Sequence, residues 1–461
     1  MIKNHKYIFL LLVLTFAGCS TKRNRLPNRA FHNLHARFNG YFYAVESIKD
    51  GVAKIEQSHK ENYSKIIPVF VYADENDAKN IYPEMDKAIK KSSLVIHRHA
   101  IVDKNKIEIP GAVKWIDDNY MAIGESHFYK RDFFSARETF DYVSKVYKNP
   151  YVKSFANMWL MRTYNEMGSL ALSENIIEFL NNYPDFPKEL HGEFYAICAD
   201  YDIKRQDYDK AIKDLSKAIP LTRKKKIRCR YSFILAQLYE KQNDNKNATH
   251  YYNQVIRSHP VYEMDFNARM KKAQVYESGS GGSKSLKRTL TKMLKDAKNK
   301  EYLDQIYYAM ASVEEKENNI PLAINYLKLS VKNSVSNNNQ KALSYLKLGD
   351  IYFSQPNYIS AQLYYDSTMI FLAKDYPGYE SIENKKKSLT SLVNNLKVIA
   401  LEDSLQKLAK MSEQDRDAVI AALIAKAEQE EKKKLEEKEK QQQQNLLSLV
   451  YTSQLTSKRH S

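Results

Sequence analysis

The stretch YLKLGDIYFSQPNYISAQLYY, from Tyr345 to Tyr365, decides how the rest of the chain is read. Tyr345, Leu348, Gly349 and Tyr352 recur at helical spacing and so share one face of a first helix. Tyr358, Ala361 and Tyr365 do the same on a second. Each type has a steric reason to be there. A small residue at Gly349 lets the second helix cross closely, Ala361 is its partner at that crossing, and the large side chains fill the space on either side. The stretch therefore reads as a hairpin of two closely crossed helices.

The same frame fits upstream. Leu235, Ala236, Tyr239, Ala248, Tyr252, Val255 and Pro260 make a second full match, with Pro260 ending the second helix. Ile123, Gly124, Ala136 and Phe140 form an earlier unit, followed by Leu160, Tyr164, Gly168, Ser173, Ile177 and Pro184. Ala199, Tyr208, Ala211, Leu215 and Ala218 come next, while Met310, Ala311, Ala323 and Leu327 fit further on. Ala273, Tyr276 and Ser285 make the poorest unit, with the glycine-rich turn SGSGGS between its helices. The small crossing residue of each second helix thus falls at Ala136, Ser173, Ala211, Ala248, Ser285, Ala323 and Ala361, in steps of 37 or 38 residues. One match would mean little; seven in near-constant phase define an array. The pattern resembles the tetratricopeptide repeat, with a pitch somewhat longer than the usual 34 residues. The expected fold is all-α: a tetratricopeptide-type right-handed superhelix, or α-solenoid, over residues 110–380, with a C-terminal helical extension.

No hairpin in such an array buries its apolar face alone, so the ends need caps. Residues 29–109 read as N-terminal helical hairpins, with Phe31, Leu34, Phe38, Phe42, Ile48, Val52 and Ile55 at helical spacing, a break at Pro68, and a helix from about Pro83 to Ala100. Residues 381–426 read as capping helices. Leu389, Leu392, Leu396 and Ile399 carry the first stripe, and Ser412 with Asp415 marks a helix start leading into Val419, Ile420, Leu423 and Ile424. Residues 427–461 are dominated by EQEEKKKLEEKEKQQQQ and read as either a charged exposed helix or a disordered tail.

Composition agrees with long helices. Only 12 Gly and 12 Pro punctuate 461 residues, and 43% of the chain is apolar. Tyr is abundant, 34 residues against 2 Trp, and suits hairpin interfaces where the ring packs and the hydroxyl reaches the rim. The formal charge is +17, but no arginine-rich cluster interleaved with aromatics appears, which argues against nucleic acid as a partner. Residues 1–18 form a lipoprotein-type signal: Lys3 and Lys6, an apolar run from Tyr7 to Phe16, then Ala17-Gly18 before Cys19. Cleavage before Cys19 and acylation of its thiol and new amino terminus would leave residues 19–28 as a tether. The apolar run is too short to span a bilayer unaided. Cys198 and Cys229 lie in a compartment that permits a disulfide, yet they fall at different phases of adjacent helices and read as two buried thiols.

Signatures of catalysis are missing from the pattern: no phosphate-cradling glycine loop, no nucleophile elbow, no paired-cysteine knuckle. No catalytic residue, metal site, cofactor or small-molecule substrate is expected. His97 and His99, with His35 and His59, are weighed as metal ligands and set aside, because residues two apart do not share a helix face and no acid completes the set. Asp117 and Asp118 read as helix-start charges. What the fold does supply is a groove lined by first helices. Its candidate lining is Phe155, Met158 and Arg162, then Arg230, Phe233 and Gln237, and then Tyr308, Leu346, Asp350 and Phe353. Mixed aromatic, Arg and acidic groups suit an extended peptide or a partner helix, although packing between neighbouring first helices would use the same residues.

Several segments are more specific than a generic repeat. NRAFHNLHARFNGYF (Asn28 to Phe42), ENYSKIIPVFVY (Glu61 to Tyr72) and AIKKSSLVIHRHAI (Ala88 to Ile101) occur in that order. KWIDDNYMAIGESHFYKRDFFSARETFDYV (Lys114 to Val143) and EDSLQKLAKM (Glu402 to Met411) follow. With the lipoprotein signal, these resemble the SprE/PorW family of tetratricopeptide lipoproteins of the type IX secretion system. The resemblance implies an outer-membrane lipoprotein facing the periplasm, needed for protein export and, in gliding bacteria, for motility. The partners it implies are the secretion translocon and the periplasmic ring and motor complex, with membrane contact through the lipid on Cys19. It also implies a second large region after the Glu/Lys segment, so the present sequence is expected to be a shortened member. A general envelope peptide binder of chaperone type, or an activator of a cell-wall enzyme, remains an alternative reading of the same array.

Overall fold

A computed structural model describes residues 24–279 and 282–457. Cys19 with its signal segment, the middle of SGSGGS and the last four residues lie outside them. No strand occurs among the described residues; one isolated antiparallel bridge joins Val102 to Glu108. The chain divides into two compact units, residues 1–295 with 312–319 and residues 296–311 with 320–461.

In the first unit, α1 (Leu26–His35) passes through a π-helical turn (Ala36–Tyr41) into α2 (Phe42–Ser58). The paired hairpins expected over 29–109 give way here to a different arrangement. Residues 59–74 leave helical geometry before a single helical turn at Glu75–Ala78 and α3 (Tyr82–His99). The local cause is the run IIPVFV at residues 66–71. Pro68 lacks a backbone N–H and pushes Ile67 into the extended region, and the β-branched and aromatic neighbours favour the same state. Pro83 enters α3 in its first turn, where its missing N–H costs nothing.

Hairpins then follow in series: α4 (Ile116–Tyr129) with α5 (Phe133–Val146), α6 (Pro150–Met167) with α7 (Leu170–Asn181), and α8 (His191–Lys204) with α9 (Tyr208–Leu221). They continue through α10 (Lys225–Lys241) with α11 (Asn245–Arg257) and α12 (Tyr262–Gln274) with α13 (Ser283–Lys295). Ala136, Ser173, Ala211 and Ala248 are all fully buried, as the crossing position demands. The residue meeting the first helix at closest range is the aromatic four positions later. A Cβ built on Gly124 would stand 2.5 Å from the Phe140 ring, and one on Gly349 3.2 Å from the Tyr365 ring. The glycine is thus small to admit a ring. Ser285 departs from the frame: it is exposed, and Leu286 and Leu290 take the buried places on α13. The shift follows the glycine-rich link, where Gly279 and Gly282 both adopt positive φ.

Second helices share a start the repeat frame does not capture. Arg131, Gly168, Gln206 and Asn243 each take a left-handed φ, and the next residue opens the helix. Asp132, Asp207 and Asp244 then accept from the backbone N–H of Ser135, Lys210 and Asn247 at 3.2, 3.3 and 3.0 Å.

In the second unit, the first part of α14 (Leu303–Lys316) contributes Ala311, which packs with Leu327 of α15 (Ile320–Asn333) and with Leu348 and Ile351 of α16 (Asn338–Ser354). α17 (Tyr358–Phe371) follows, its first turn capped by Asn357 onto Ser360 N at 3.2 Å. The final helices are α18 (Tyr379–Ala409) and α19 (Glu413–Ser457). α18 caps α17 through Leu389 and Val393, the buried residues of this helix. The stripe expected at Leu392, Leu396 and Ile399 is one register off, and those three side chains are exposed. Ser412 and Asp415 bond reciprocally at the head of α19, as a capping pair should.

Two substitutions test this packing by thermal unfolding followed by circular dichroism. Asp244→Ala is expected to cost about 1 kcal/mol by uncapping α11. Gly124→Ala gains roughly 1 kcal/mol of helix propensity but forces the buried Phe140 ring aside at about 1–3 kcal/mol. It should lower Tm, and Phe140→Leu in the same chain should recover part of the loss. A rise in Tm for Gly124→Ala alone would disprove the close crossing.

Candidate functional site

First helices α4, α6, α8 and α10 line an inner face in the first unit, and that face is occupied by the chain itself. Residues 61–73 run across it as a strap. Ile67, Val69 and Ala73 are buried while Lys65 and Pro68 are exposed, the alternation of a half-buried extended segment. Fully burying side chains the size of Ile67 and Val69 contributes about 1.5–3 kcal/mol each.

The bonds between strap and helices are mostly to main chain. Gln237 of α10 accepts from the Ile67 N–H at 3.0 Å and donates to the Lys65 carbonyl at 2.7 Å, so one side-chain amide satisfies a donor and an acceptor as a neighbouring strand would. Arg230 Nε donates to the Pro68 carbonyl at 2.9 Å, and its guanidinium also pairs with the Glu61 carboxylate. Arg131 donates to the Ala73 carbonyl at 3.1 Å. Side-chain pockets add selectivity. Tyr63 meets the buried Phe233 edge-on with centroids 5.2 Å apart. Phe70 lies under the Arg162 guanidinium at 4.0 Å, within a cluster that includes Met158, Met161, Phe194 and Ile197. Tyr72 packs edge-on against Phe128 at 4.9 Å. From Glu61 to Ala73 the strap therefore passes α10, then α6, then α4, against the order of the repeats.

Arg162 is the charge at the centre of this face. It is 8% exposed, stacks on Phe70 and Trp159, and pairs with Glu193 of α8 at 2.6 Å. Burial pushes the Glu125 carboxyl up to about 8; the Arg162 charge works against the shift, while Glu193 and Asp118 add to it. Burial, with Asp117 beside it, raises Asp118 to about 7. Asp117 itself rises to about 6, chiefly through burial. The pair read as simple helix-start charges is thus half-buried, with its protons held more tightly than in water. Deeper between repeats, Ser173 donates to Asn165 at 2.8 Å and Asn165 donates to Asp200 at 3.0 Å. Lys204 links Asp200 and Glu166 at 2.9 and 2.6 Å.

The ten groove candidates thus fall into two groups. Arg162, Arg230, Phe233 and Gln237 touch the strap directly, Met158 sits in the cluster that receives Phe70, and Phe155 stacks on Tyr151 beside Trp159. In the second unit, Tyr308 packs against the Ala311 and Leu327 cluster, and Leu346 against Tyr365 and Leu389. Asp350 accepts from the Tyr365 hydroxyl and pairs with Lys385 of α18 at 3.1 Å, and the same lysine lies 4.4 Å over Phe353. Leu346, Asp350 and Phe353 thus meet the capping helix, while Tyr308 stays within the α14–α16 packing. The strap itself is the part sequence reasoning missed; its signal was the IIPVFV run inside a helical region.

Histidines gather differently from the set weighed above. His99 stands with His35, rings stacked at 5.9 Å, and with His32, their Nδ1 atoms 2.9 Å apart, while His97 is exposed and His59 lies beside Glu61. Burial and the two neighbouring histidines lower His99 to about 4. Among the described residues no three His, Cys, Asp or Glu side chains converge to hold a metal. Cys198 and Cys229 are free, buried thiols, and burial raises Cys229 to about 11.

Residues 230–261, covering most of α10 and all of α11, match the family model of the tetratricopeptide repeat. This hairpin is a tetratricopeptide repeat. No curated protein matches the chain. Among solved structures it is similar to the apo form of RapI, at 13% identity, 65% of this chain, 93% of the other and a TM-score of 0.42. It is also similar to NprR in complex with its cognate peptide NprX, at 13% identity, 82% and 98% coverage and a TM-score of 0.38. A third is the C-terminal part of a TPR repeat-containing protein from Cytophaga hutchinsonii, at 12% identity, 66% and 97% coverage and a TM-score of 0.35. These likenesses extend no further than helical architecture.

The raised carboxyls set a pH dependence. Their folded pKa values lie above the unfolded range near 4, so these carboxyls bind more protons in the folded chain than in the unfolded one between roughly pH 4 and 8, outweighing in number the single opposite shift of His99 from 6.5 to about 4. Stability therefore falls as pH rises through that window. The urea midpoint is expected to be higher at pH 5 than at pH 8, and Glu125→Gln should flatten the difference. An unchanged slope in Glu125→Gln would remove this carboxyl from the account.

Proposed function

We propose that this chain is a periplasm-facing scaffold, anchored in the outer membrane through a lipid on Cys19, that brings components of the type IX secretion and gliding machinery together. A tetratricopeptide-type helical stack suits protein–protein contact. Its action is co-localisation: restricting partners to one surface in the plane of the membrane raises their effective concentration without any bond chemistry.

One observation carries the finer reading. Four of the five segments that resemble the SprE/PorW family are scattered in sequence yet meet in the fold of the first unit, while Glu402–Met411 lies at the end of α18 in the second. Asn28–Phe42 supplies α1 and the π-turn, whose His32 reaches His99 of the Ala88–Ile101 segment. Tyr41 packs on Trp115 with centroids 5.6 Å apart, joining the Lys114–Val143 segment. Glu61–Tyr72 is the strap, and its Tyr72 reaches Phe128 of that same segment. Residues that combine into one N-terminal module, reaching into the first hairpin, support the family-specific reading, whereas generic repeats share only the crossing positions.

The test is crosslinking of the lipidated protein in membranes, followed by capture and identification of its companions. Outer-membrane translocon and periplasmic ring or motor proteins are expected. A yield of unrelated envelope peptides would favour a general peptide binder instead. Changing Cys19→Ala should move the protein from the membrane fraction to the soluble one; unaltered membrane retention would defeat the anchor.

A further inference from the structure

The strap is held as a bound peptide is held. Four of its bonds engage main-chain groups, the Ile67 N–H and the carbonyls of Lys65, Pro68 and Ala73, through Gln237, Arg230 and Arg131. Such bonds align an extended chain whatever its sequence. Selectivity then comes from the Glu61 carboxylate on Arg230, Tyr63 on Phe233, and Phe70 beneath Arg162. The strap also enters and leaves through exposed residues, Lys60 on one side and Asp74 and Glu75 on the other.

We propose that residues 61–73 are a tethered ligand. The inner face of the first unit is a peptide-binding groove for extended segments with an acidic residue, a nearby aromatic ring and an apolar-proline-apolar-aromatic run, and the resting chain closes it with its own copy. Tethering at both ends gives the strap an effective concentration in about the millimolar range, so a segment of ordinary affinity enters only when the strap is released. The proposal rests on the reading of this chain as a protein-binding scaffold, and it names both what the groove binds and what keeps it shut.

The experiment uses the full chain with protease recognition sequences placed after Lys60 and after Asp74, both exposed, so that no buried residue changes. A fluorescent peptide of residues 59–74 is followed by anisotropy. The uncut chain is expected to leave it free, and the cut chain to exchange its strap for the labelled peptide. A Phe70→Ala peptide should bind the cut chain at least ten-fold more weakly, and Gln237→Ala in the cut chain should weaken the parent peptide about as much. Equal binding to cut and uncut chains would show that the strap closes nothing. A cut chain that keeps its helical circular dichroism but takes up no peptide, or that unfolds on cutting, would make the strap ordinary core and overturn the proposal. Purified protein alone is used, so failure here leaves the membrane capture result standing, and an unexpected set of captured companions leaves the groove result standing.

Discussion

Everything in the repeats depends on one steric fit, a bulky ring or branched side chain of the second helix seated over a small residue of the first. Phe140 over Gly124 and Tyr365 over Gly349 are the cases with a glycine beneath the ring. The rings are fully buried, yet Tyr365 keeps its hydroxyl on Asp350, and Tyr252 on Glu240 at 2.7 Å. That combination explains the tyrosine-rich composition: the ring supplies the volume the crossing needs, and the hydroxyl finds a carboxylate at its edge. Because the fit fixes how near the helices of a hairpin approach, it also fixes how far first helices stand from one another, and hence the width of the face they line.

Filling that face with a segment of the same chain has consequences for stability as well as for recognition. Gln237 meets backbone groups 170 and 172 residues away, contacts whose closure is entropically expensive to form. They are made anyway because the extended segment brings Ile67 and Val69 into a cluster with Phe233, Leu235 and Tyr252, where little water is left. Lys226 on Glu56 at 2.6 Å ties the end of α2 to the same helix α10. The N-terminal module and the repeats of the first unit are therefore fastened at several depths.

The repeats were legible because their signal is local and periodic: a small residue every 37 or 38 positions with large ones at fixed offsets. The turn ahead of each second helix was equally legible but unread, since Asp132, Asp207, Asp244 and Asn357 all stand four residues before the crossing position. The strap was not legible as a ligand. Its composition said only that it would be extended, and nothing local links Ile67 to Gln237. The histidines were partly legible: His35 does stand beside His99, but His32, its other neighbour, lies too far away in sequence for spacing to link the two. Ser285 shows the limit of a periodic frame: a glycine-rich link permits a one-residue slip, and Leu286 then holds the buried place.

The chemistry of the lining separates a groove from a core. Where α10 and α11 pack on each other, the buried residues are Ala248, Tyr252 and Val255 against Phe233, Ile234 and Leu235, groups that would lose heavily on exposure to water. Under the strap, by contrast, the polar Gln237, Arg230 and Arg162 stand among apolar Phe233, Met158 and Phe194. The three polar groups are ones that water can also serve, because a guanidinium or a side-chain amide regains hydration when its partner leaves. An unpaired buried charge would be ruinous, and Arg162 has a partner outside the strap, Glu193 at 2.6 Å. The inner face thus offers polar anchors and apolar pockets to the extended segment that covers it, whereas the α10–α11 interface is sealed by apolar packing.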